Sequence, residues 1–354
     1  MFHGSYLESD VTFLVKVVDI NFTEVKEKER LIQSGTTHYS EMLSQEYEPT
    51  PAYLEMFYKS YHANKMRFSQ DILTLSHHLS LKKEIVIISL LRAGTPIGVL
   101  VKRTLKSRFN QEVKHYSISI IRDREIDEVA LNYIIEKHPD AECIFIDGWT
   151  GKGVINQELK TFIAQFNEKN SVSVSDKLYV ICDIAYVADF CVTNDDYLLP
   201  SSALNSTISG LVSRSILNET LVKEGEFHAC KYYSEYQKND LTLWFIDEIM
   251  GVIEDLKVEE RPLILKNSQK YDEVNTFLKT IQRHFNIKTM NYIKPGIGES
   301  TRVLLRRVPY IILVKDLKDK AIEHLLLLAQ EKKVKVVEET SLPYTTLAII
   351  KDVL

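Results

Sequence analysis

The stretch 143–155 carries the residue types best suited to holding a phosphorylated ligand. An apolar run ends in Asp147, passes through Gly148 and Trp149, and enters a helix-patterned segment through Thr150, Gly151, Lys152 and Gly153. Glycines let the backbone turn its N–H groups inward, and a helix N-terminus adds about half a positive charge, so this entry reads as an anion cradle. Thr150 adds a hydroxyl and Lys152 a point charge. A carboxylate on a strand end with a cradle one turn later suits a ribose 5-phosphate, with Asp147 on the 2′ and 3′ hydroxyls. The spacing is not that of a Walker A loop, because Gly153 follows Lys152 and Ile146 occupies the first glycine's place. Nor is it a Rossmann fingerprint, since Asn156 stands where Gly or Ala is needed. The alternative is a tight turn whose lysine points at water.

A second dense polar set follows at Asp195, Asp196, Ser201, Asn205, Ser206 and Arg214. Such groups among small residues can hydrogen-bond an acceptor molecule; a capped helix after Pro200 with solvated serines is the other reading. Thiol chemistry has less support. A nucleophilic cysteine needs a nearby histidine and an electropositive, partly exposed setting. Cys143 and Cys182 fall in apolar runs, Cys191 follows Asp189, and Cys230 stands two residues from His228. No cysteine spacing fits a metal site. Near the other end, Lys294, Arg302 and Arg306 flank a helix that opens after a Pro-Gly turn. That placement favours phosphates, and Glu299 can accept from a base amino group.

These residues need elements that bring strand ends together. Segments 85–91, 114–121, 142–146 and 177–182 read as strands, and 96–105, 126–137 and 154–166 as helices between them. In the last, Ile155, Leu159, Phe162, Ile163 and Phe166 form one apolar face. The alternation predicts an α/β fold with a mostly parallel sheet flanked by helices, its ligand at the carboxyl ends of the strands. Helices are also expected at 26–32, 51–66 and 241–255, the last running into a charged linker at 257–262. A boundary there divides the chain into 1–258 and 259–354. The second part predicts helices at 269–285, 299–307, 318–332 and 341–351, with strands at 310–314 and 334–338.

The 354 residues, 45% hydrophobic and 26% charged, have an ordinary globular composition that excludes disorder, collagen and coiled coil. The apolar stretch 85–91 is far short of the roughly 20 residues a membrane helix needs. Residues 1–10 carry no secretory pattern, and the four cysteines include no CxxC pair. The expectation is a reduced, cytoplasmic protein with no membrane contact, no bound metal and no redox cofactor. The net charge of −5 is uneven. Residues 259–354 hold 17 Lys and Arg against 12 Asp and Glu, leaving the excess of acid in 1–258. Such splitting points to a nucleic-acid-binding part.

Longer motifs carry a resemblance. The loop 147–153 resembles the ribose-phosphate loop of type I phosphoribosyltransferases, and 89–98, with Arg92, Ala93 and Gly94, resembles their pyrophosphate loop. Arg122 and Arg124 are placed like the mobile loop of that family, and Gly148 stands where the family has a second acid. With 32–35, 38–43, 115–122, 204–214 and 227–233, nearly the whole chain resembles one bacterial family of tellurium-resistance and stress gene clusters. Its members are described as phosphoribosyltransferase-like proteins with a C-terminal pelota RNA-binding domain, and are also labelled StiP-family cysteine proteases. The turn 294–302 resembles the RNA-reading turn of the pelota superfamily, with Gly296, Glu299, Thr301 and Arg302 matching in kind and Gly298 replacing an Asn.

The resemblance implies a phosphoribosyltransferase-like domain over 1–258 and a small αβα pelota-like domain over 259–354. It implies transfer of a phosphoribosyl group between phosphoribosyl pyrophosphate and a base-like acceptor, with Mg²⁺ on the diphosphate. Arg92, Ala93, Gly94, Arg122 and Arg124 would hold the diphosphate, Asp147 and Gly148 the ribose, and Thr150 to Gly153 the 5-phosphate. RNA would bind the C-terminal part through Lys294, Gly296, Glu299, Thr301, Arg302 and Arg306, and a homodimer is compatible with the family. Two rivals are a non-catalytic RNA-binding adaptor that kept the cradle and a cysteine protease.

Overall fold

The computed structural model describes residues 1–353. Strands run over Thr12–Phe13 (β1), Lys16–Val17 (β2), Ile85–Leu90 (β3), Lys114–Ile118 (β4), Glu142–Thr150 (β5), Leu178–Asp183 (β6), Phe190–Thr193 (β7), Ala229–Cys230 (β8) and Ile264–Leu265 (β9). Four more follow at Ile293–Pro295 (β10), Pro309–Val314 (β11), Lys335–Glu338 (β12) and Thr346–Ile350 (β13). The helices are Val25–Gln33 (α1), Pro51–Ser80 (α2), Gly94–Phe109 (α3), Glu128–Lys137 (α4), Val154–Asn170 (α5), Thr242–Asp255 (α6), Ser268–His284 (α7), Ile297–Arg306 (α8) and Glu323–Glu331 (α9).

The large sheet has the order β1-β4-β3-β5-β6-β7-β9 and is parallel except for β9. β3 and β6 are buried along their whole length, as parallel strands covered on both faces must be. Alternate residues feed opposite cores. Ile87, Ile144 and Ile181 pack with Phe68, Leu105 and Phe245 of α2, α3 and α6, while Ile88, Phe145 and Val180 pack with Leu131, Leu159 and Ile163 of α4 and α5. The fold is therefore mixed α/β with a mostly parallel central sheet flanked by helices. α2 starts where Thr50 accepts a hydrogen bond from the Tyr53 N–H with Pro51 at the first turn. It continues well past residue 66 because Phe68, Ile72, Leu75 and Leu79 extend its buried face.

The small sheet has the order β10-β13-β11-β12. Its central strand β13 replaces the helix expected at 341–351. Leu347 and Ile349 face one core and Ala348 and Ile350 another, a period of two, and both neighbours pair with it antiparallel. A second correction concerns β5. It runs straight through Gly148 and Trp149, which the sequence suggested as a turn, because Trp149 and Thr150 pair with Cys182 and Asp183 of β6. The turn is 151–153 alone.

Asp196, expected in an acceptor pocket, instead joins the two sheets. Its carboxylate accepts from the Ile297 N–H, capping α8, and from the Thr345 N–H, both at 2.9 Å. Val303 and Leu304 of α8 share a core with Ile87 and Leu105. α8 is thereby fixed over the carboxyl ends of β5 and β6.

Candidate functional site

Docking of α8 over the strand ends forms a partly open cavity of about 510 Å³. Its walls are the β3–α3 turn, the end of β5 with the 151–153 loop, the β10–α8 segment, and part of α1. Among the described residues nine cations line it: Lys28, Arg92, Arg122, Lys152, Arg214, Lys294, Arg302, Arg306 and Arg307. Two carboxylates, Asp147 and Glu299, accompany them. Nine of the chain's 44 Lys and Arg side chains thus surround one cavity.

Gly153 begins α5 with φ +83, a left-handed conformation that glycine adopts without strain. The preceding Gly151 lets Pro295 and Glu299 approach: a Cβ there would sit 3.3 Å from the Pro295 carbonyl oxygen. Lys152 donates to the Met290 carbonyl at 2.5 Å. Burial, then the charges of Lys294 and Arg122, push its ammonium down to about 6. The same forces act on Lys28, where burial with Arg214 and Arg307 lowers it to about 7, and on Lys294, lowered to about 8 mainly by burial. Crowded cations of depressed basicity mark a place that an anion would stabilise. Asp147 is pushed up to about 7 by burial, although the Gly148 N–H donates to it at 2.8 Å and Arg302 lies near. Glu299 moves the other way: burial opposes its ionisation, but Lys294, Arg302 and Arg306 outweigh that and hold it below the usual range.

Several expected residues converge on the cavity. Arg92, Ala93, Arg122, Asp147, Thr150, Gly151, Lys152, Gly153, Arg214, Lys294, Glu299, Arg302 and Arg306 all line it. Their chemistry is more committed than the sequence suggested. Arg92 is ion-paired to Glu46 at 2.7 Å, both nearly excluded from water, and donates to the Val212 carbonyl. The Thr150 hydroxyl donates to Asp183, so its proton is not aimed at the cavity. Arg214 spends its guanidinium on the Tyr39, Met42 and Ser215 carbonyls. Arg306 donates to Asn205.

Others lie elsewhere. Arg124 pairs with Glu41, and Asp195 with Arg67 at 2.6 Å. Gly94 serves packing, since a Cβ there would meet the Ile146 carbonyl oxygen at 2.3 Å, whereas a Cβ on Gly148 would find its nearest neighbour, the Ala93 carbonyl oxygen, at an ordinary 3.6 Å. Ser201 is buried, and the Ser206 N–H supports Glu46 at 2.9 Å. Thr301 is buried inside its own half, bonded to His324 at 2.9 Å, and Gly296 faces Ile184 in the turn just after β6. The turn expected to meet RNA therefore points its cations into the cavity rather than onto an open face. Sequence reasoning missed Lys28 and Arg307, and missed Tyr39, whose ring lies 5.1 Å from the Arg122 guanidinium.

The four thiols are all buried. Burial pushes Cys143, Cys191 and Cys230 up to about 12, and Cys182 well above its ordinary value. His228 is turned to Ser119 and Glu125 rather than to Cys230. A divalent cation fits poorly: Asp147 and Glu299 lie among guanidinium and ammonium groups, and among the described residues no group of three or more His, Cys, Asp or Glu could hold a metal ion. Among the described residues no helix is long and apolar enough to cross a membrane.

Comparison with known proteins adds five findings. Residues 4–250 match the family model described as StiP, tellurite-like stress resistance cysteine protease, and residues 273–352 match the PELOTA RNA binding domain. A curated relative from Acinetobacter baylyi, named cysteine protease StiP, is 38% identical over 99% of this chain and 94% of its own length. Among solved structures, an asparagine mutant of an invariant aspartic acid in HPRTs aligns at 11% identity over 60% of this chain and 94% of that one, with a TM-score of 0.26. A hypothetical protein from Neisseria gonorrhoeae with bound ppGpp aligns at 12% identity over 33% and 66%, with a TM-score of 0.20. Similarity this low carries no argument. The matches overturn the expected phosphoribosyl transfer: the family and the relative are named for cysteine proteolysis, and none of the informative matches is named for that transfer.

Proposed function

This chain belongs to the StiP family, and on that premise we propose that it binds a phosphate-bearing, nucleotide-like ligand in the cavity between β5–α5 and α8. The observation that carries this reading is the convergence of nine lysine and arginine side chains and only two carboxyl groups on one cavity, with Arg92, Arg122 and Arg307 alone among the nine held by carboxylates, Glu46, Asp123 and Glu29, outside its lining. The volume lies within the ~300–1,000 Å³ range of small-ligand sites. Gly151 to Gly153 open the start of α5 to it, and Trp149 lines it with Arg302 stacked over its ring. The pelota match supports a nucleotide-like ligand, because the segment matched supplies Lys294, Arg302 and Arg306 to the walls. In a thermal-shift assay of the full chain, AMP or GMP should raise Tm by mass action. Lys152→Met and Arg302→Met should each suppress that rise; a shift surviving both variants would place the ligand elsewhere.

A second reading starts from the relative's name. Proteolysis would use Cys182, which lines a small cavity with Trp149, Asp196, Gly296 and Gly298 where α8 meets the sheet. Lifting of α8 would uncover that thiol. Peptide hydrolysis that disappears in Cys182→Ala, with native folding retained, supports this reading. Hydrolysis that persists in that variant removes it.

A further inference from the structure

Tyr39 stands at the start of the short 3₁₀ turn Tyr39–Glu41 and lines the cavity. Two cavity arginines from distant parts of the chain meet on its ring. The guanidinium carbon of Arg122 lies 5.1 Å from the ring centre and that of Arg214 5.2 Å. An aromatic face attracts each cation through its quadrupole, so one ring accommodates two like charges that repel each other. The polar atoms of the tyrosine are engaged by the same pair. Its hydroxyl accepts the Arg122 backbone N–H at 2.8 Å, and its carbonyl accepts from Arg214 Nη2.

The two arginines differ in what they have left for a ligand. Arg214 also donates to the Met42 and Ser215 carbonyls, which makes it a strut. Arg122 has one side-chain partner, the Asp123 carboxylate, reached through Nε at 2.7 Å. Its two Nη groups donate to nothing among the described residues. A guanidinium with the end of its fork free is shaped for bidentate contact with a phosphate. The backbone behind it is pinned. Asp123, at φ +63, donates its N–H to Glu158 at 2.9 Å, and Arg124 is held by Glu41, in the same turn as Tyr39. Glu158 lies just past the first turn of α5, so the loop carrying Arg122 is fastened to the helix that starts at the cavity.

We propose that Tyr39 is a positioning residue for the ligand's phosphate: its ring and hydroxyl together set the free fork of Arg122 against that phosphate, while Arg214 fixes the tyrosine through its carbonyl. This rests on the reading of the cavity as a phosphate-ligand site. The test is isothermal titration of the full chain with AMP across a double-mutant cycle. Arg122→Met should weaken AMP about tenfold, the scale of one charge-assisted contact. Tyr39→Leu, which keeps Arg122 but removes its seat, should cost about the same. The double variant should bind within about twofold of either single one, where independent contacts would multiply to about a hundredfold. Tyr39→Phe keeps the ring and loses only the hydroxyl bond, so it should hold AMP within about threefold of wild type. Should Tyr39→Leu lose native circular dichroism, the cycle is run with Tyr39→Phe, whose smaller loss should vanish in the Arg122→Met background. Affinity indifferent to Arg122→Met or to the tyrosine variant of the cycle, or losses that multiply in the double variant, overturn the positioning role while leaving the cavity reading intact. Failure of the wild type to bind AMP overturns both.

Discussion

The guanidinium carbon of Arg302 sits 4.3 Å from the centre of the Trp149 ring. Trp149 is on β5 of the large sheet and Arg302 on α8, so this stack ties the two halves together in the wall of the cavity. A planar guanidinium stacks on an indole face as an ammonium cannot. Arg302→Lys should keep the charge, cost about 0.5–2 kcal/mol of stability, and weaken AMP binding. Urea melts and titration of the same variant check both; an unchanged AMP affinity would mean that the stack is structural only.

Arg92 and Glu46 form a buried pair 2.7 Å apart. Removing one partner of such a pair costs about 3–5 kcal/mol, because the other charge is left buried alone. Glu46→Gln should therefore lower the urea midpoint strongly at pH 7. Burial raises the Glu46 carboxyl, but Arg92 and Arg306 outweigh it and hold the group at about 2. Since this folded value lies below the unfolded 4.5, the stabilisation is complete above about pH 4.5 and is lost as pH falls toward 2. Wild type should lose stability across that window more steeply than Glu46→Gln. Parallel acid profiles would contradict the pairing.

Ligand binding should take up protons. Free Lys152 and Lys28 titrate near 6 and 7, so at pH 8 both are mostly neutral. A phosphate beside them raises their basicity and draws protons from solution. Calorimetry with AMP at pH 8 in two buffers of different ionisation enthalpy should show uptake, reduced in Lys152→Met. At pH 5, where both lysines are already charged, the uptake should vanish. Proton release at pH 8 would contradict the assignment.

Gly298 marks how tightly α8 is seated. A Cβ there would lie 3.3 Å from Trp149 Cε2 and 3.4 Å from Ser202 Cβ. Gly298→Asn should loosen the contact and speed amide exchange in α8 and at the end of β5. It should also leave the small sheet's own exchange unchanged. Wild-type exchange in α8 would show that the seat has room to spare.

Much of the scaffold is legible in the sequence. The runs 85–91 and 142–146 are β-rich and bounded by polar residues, and the glycines after Thr150 announce a helix entry. β13 is not legible, because a short apolar run reads equally well as helix until its partners are known. The cavity escapes for a different reason. Lys152 and Arg302 are 150 positions apart, and their meeting depends on Asp196, whose carboxylate reads as a ligand contact but caps α8. Lys28 hides inside the charged run 26–30, which has the composition of a solvated helix face. The docking of Arg307 onto the neighbouring Glu29, with Gln33 held to Lys351 and Val353, turns that face inward.

The most direct test of the central claim is diffraction from crystals of the full chain grown with AMP. The account predicts phosphate density in the cavity between β5–α5 and α8, within hydrogen-bond distance of Lys152 or Lys294, with α8 still seated on Trp149. A cavity free of ligand density at saturating AMP, or a nucleotide bound only on the outer surface of the 273–352 segment, would contradict it.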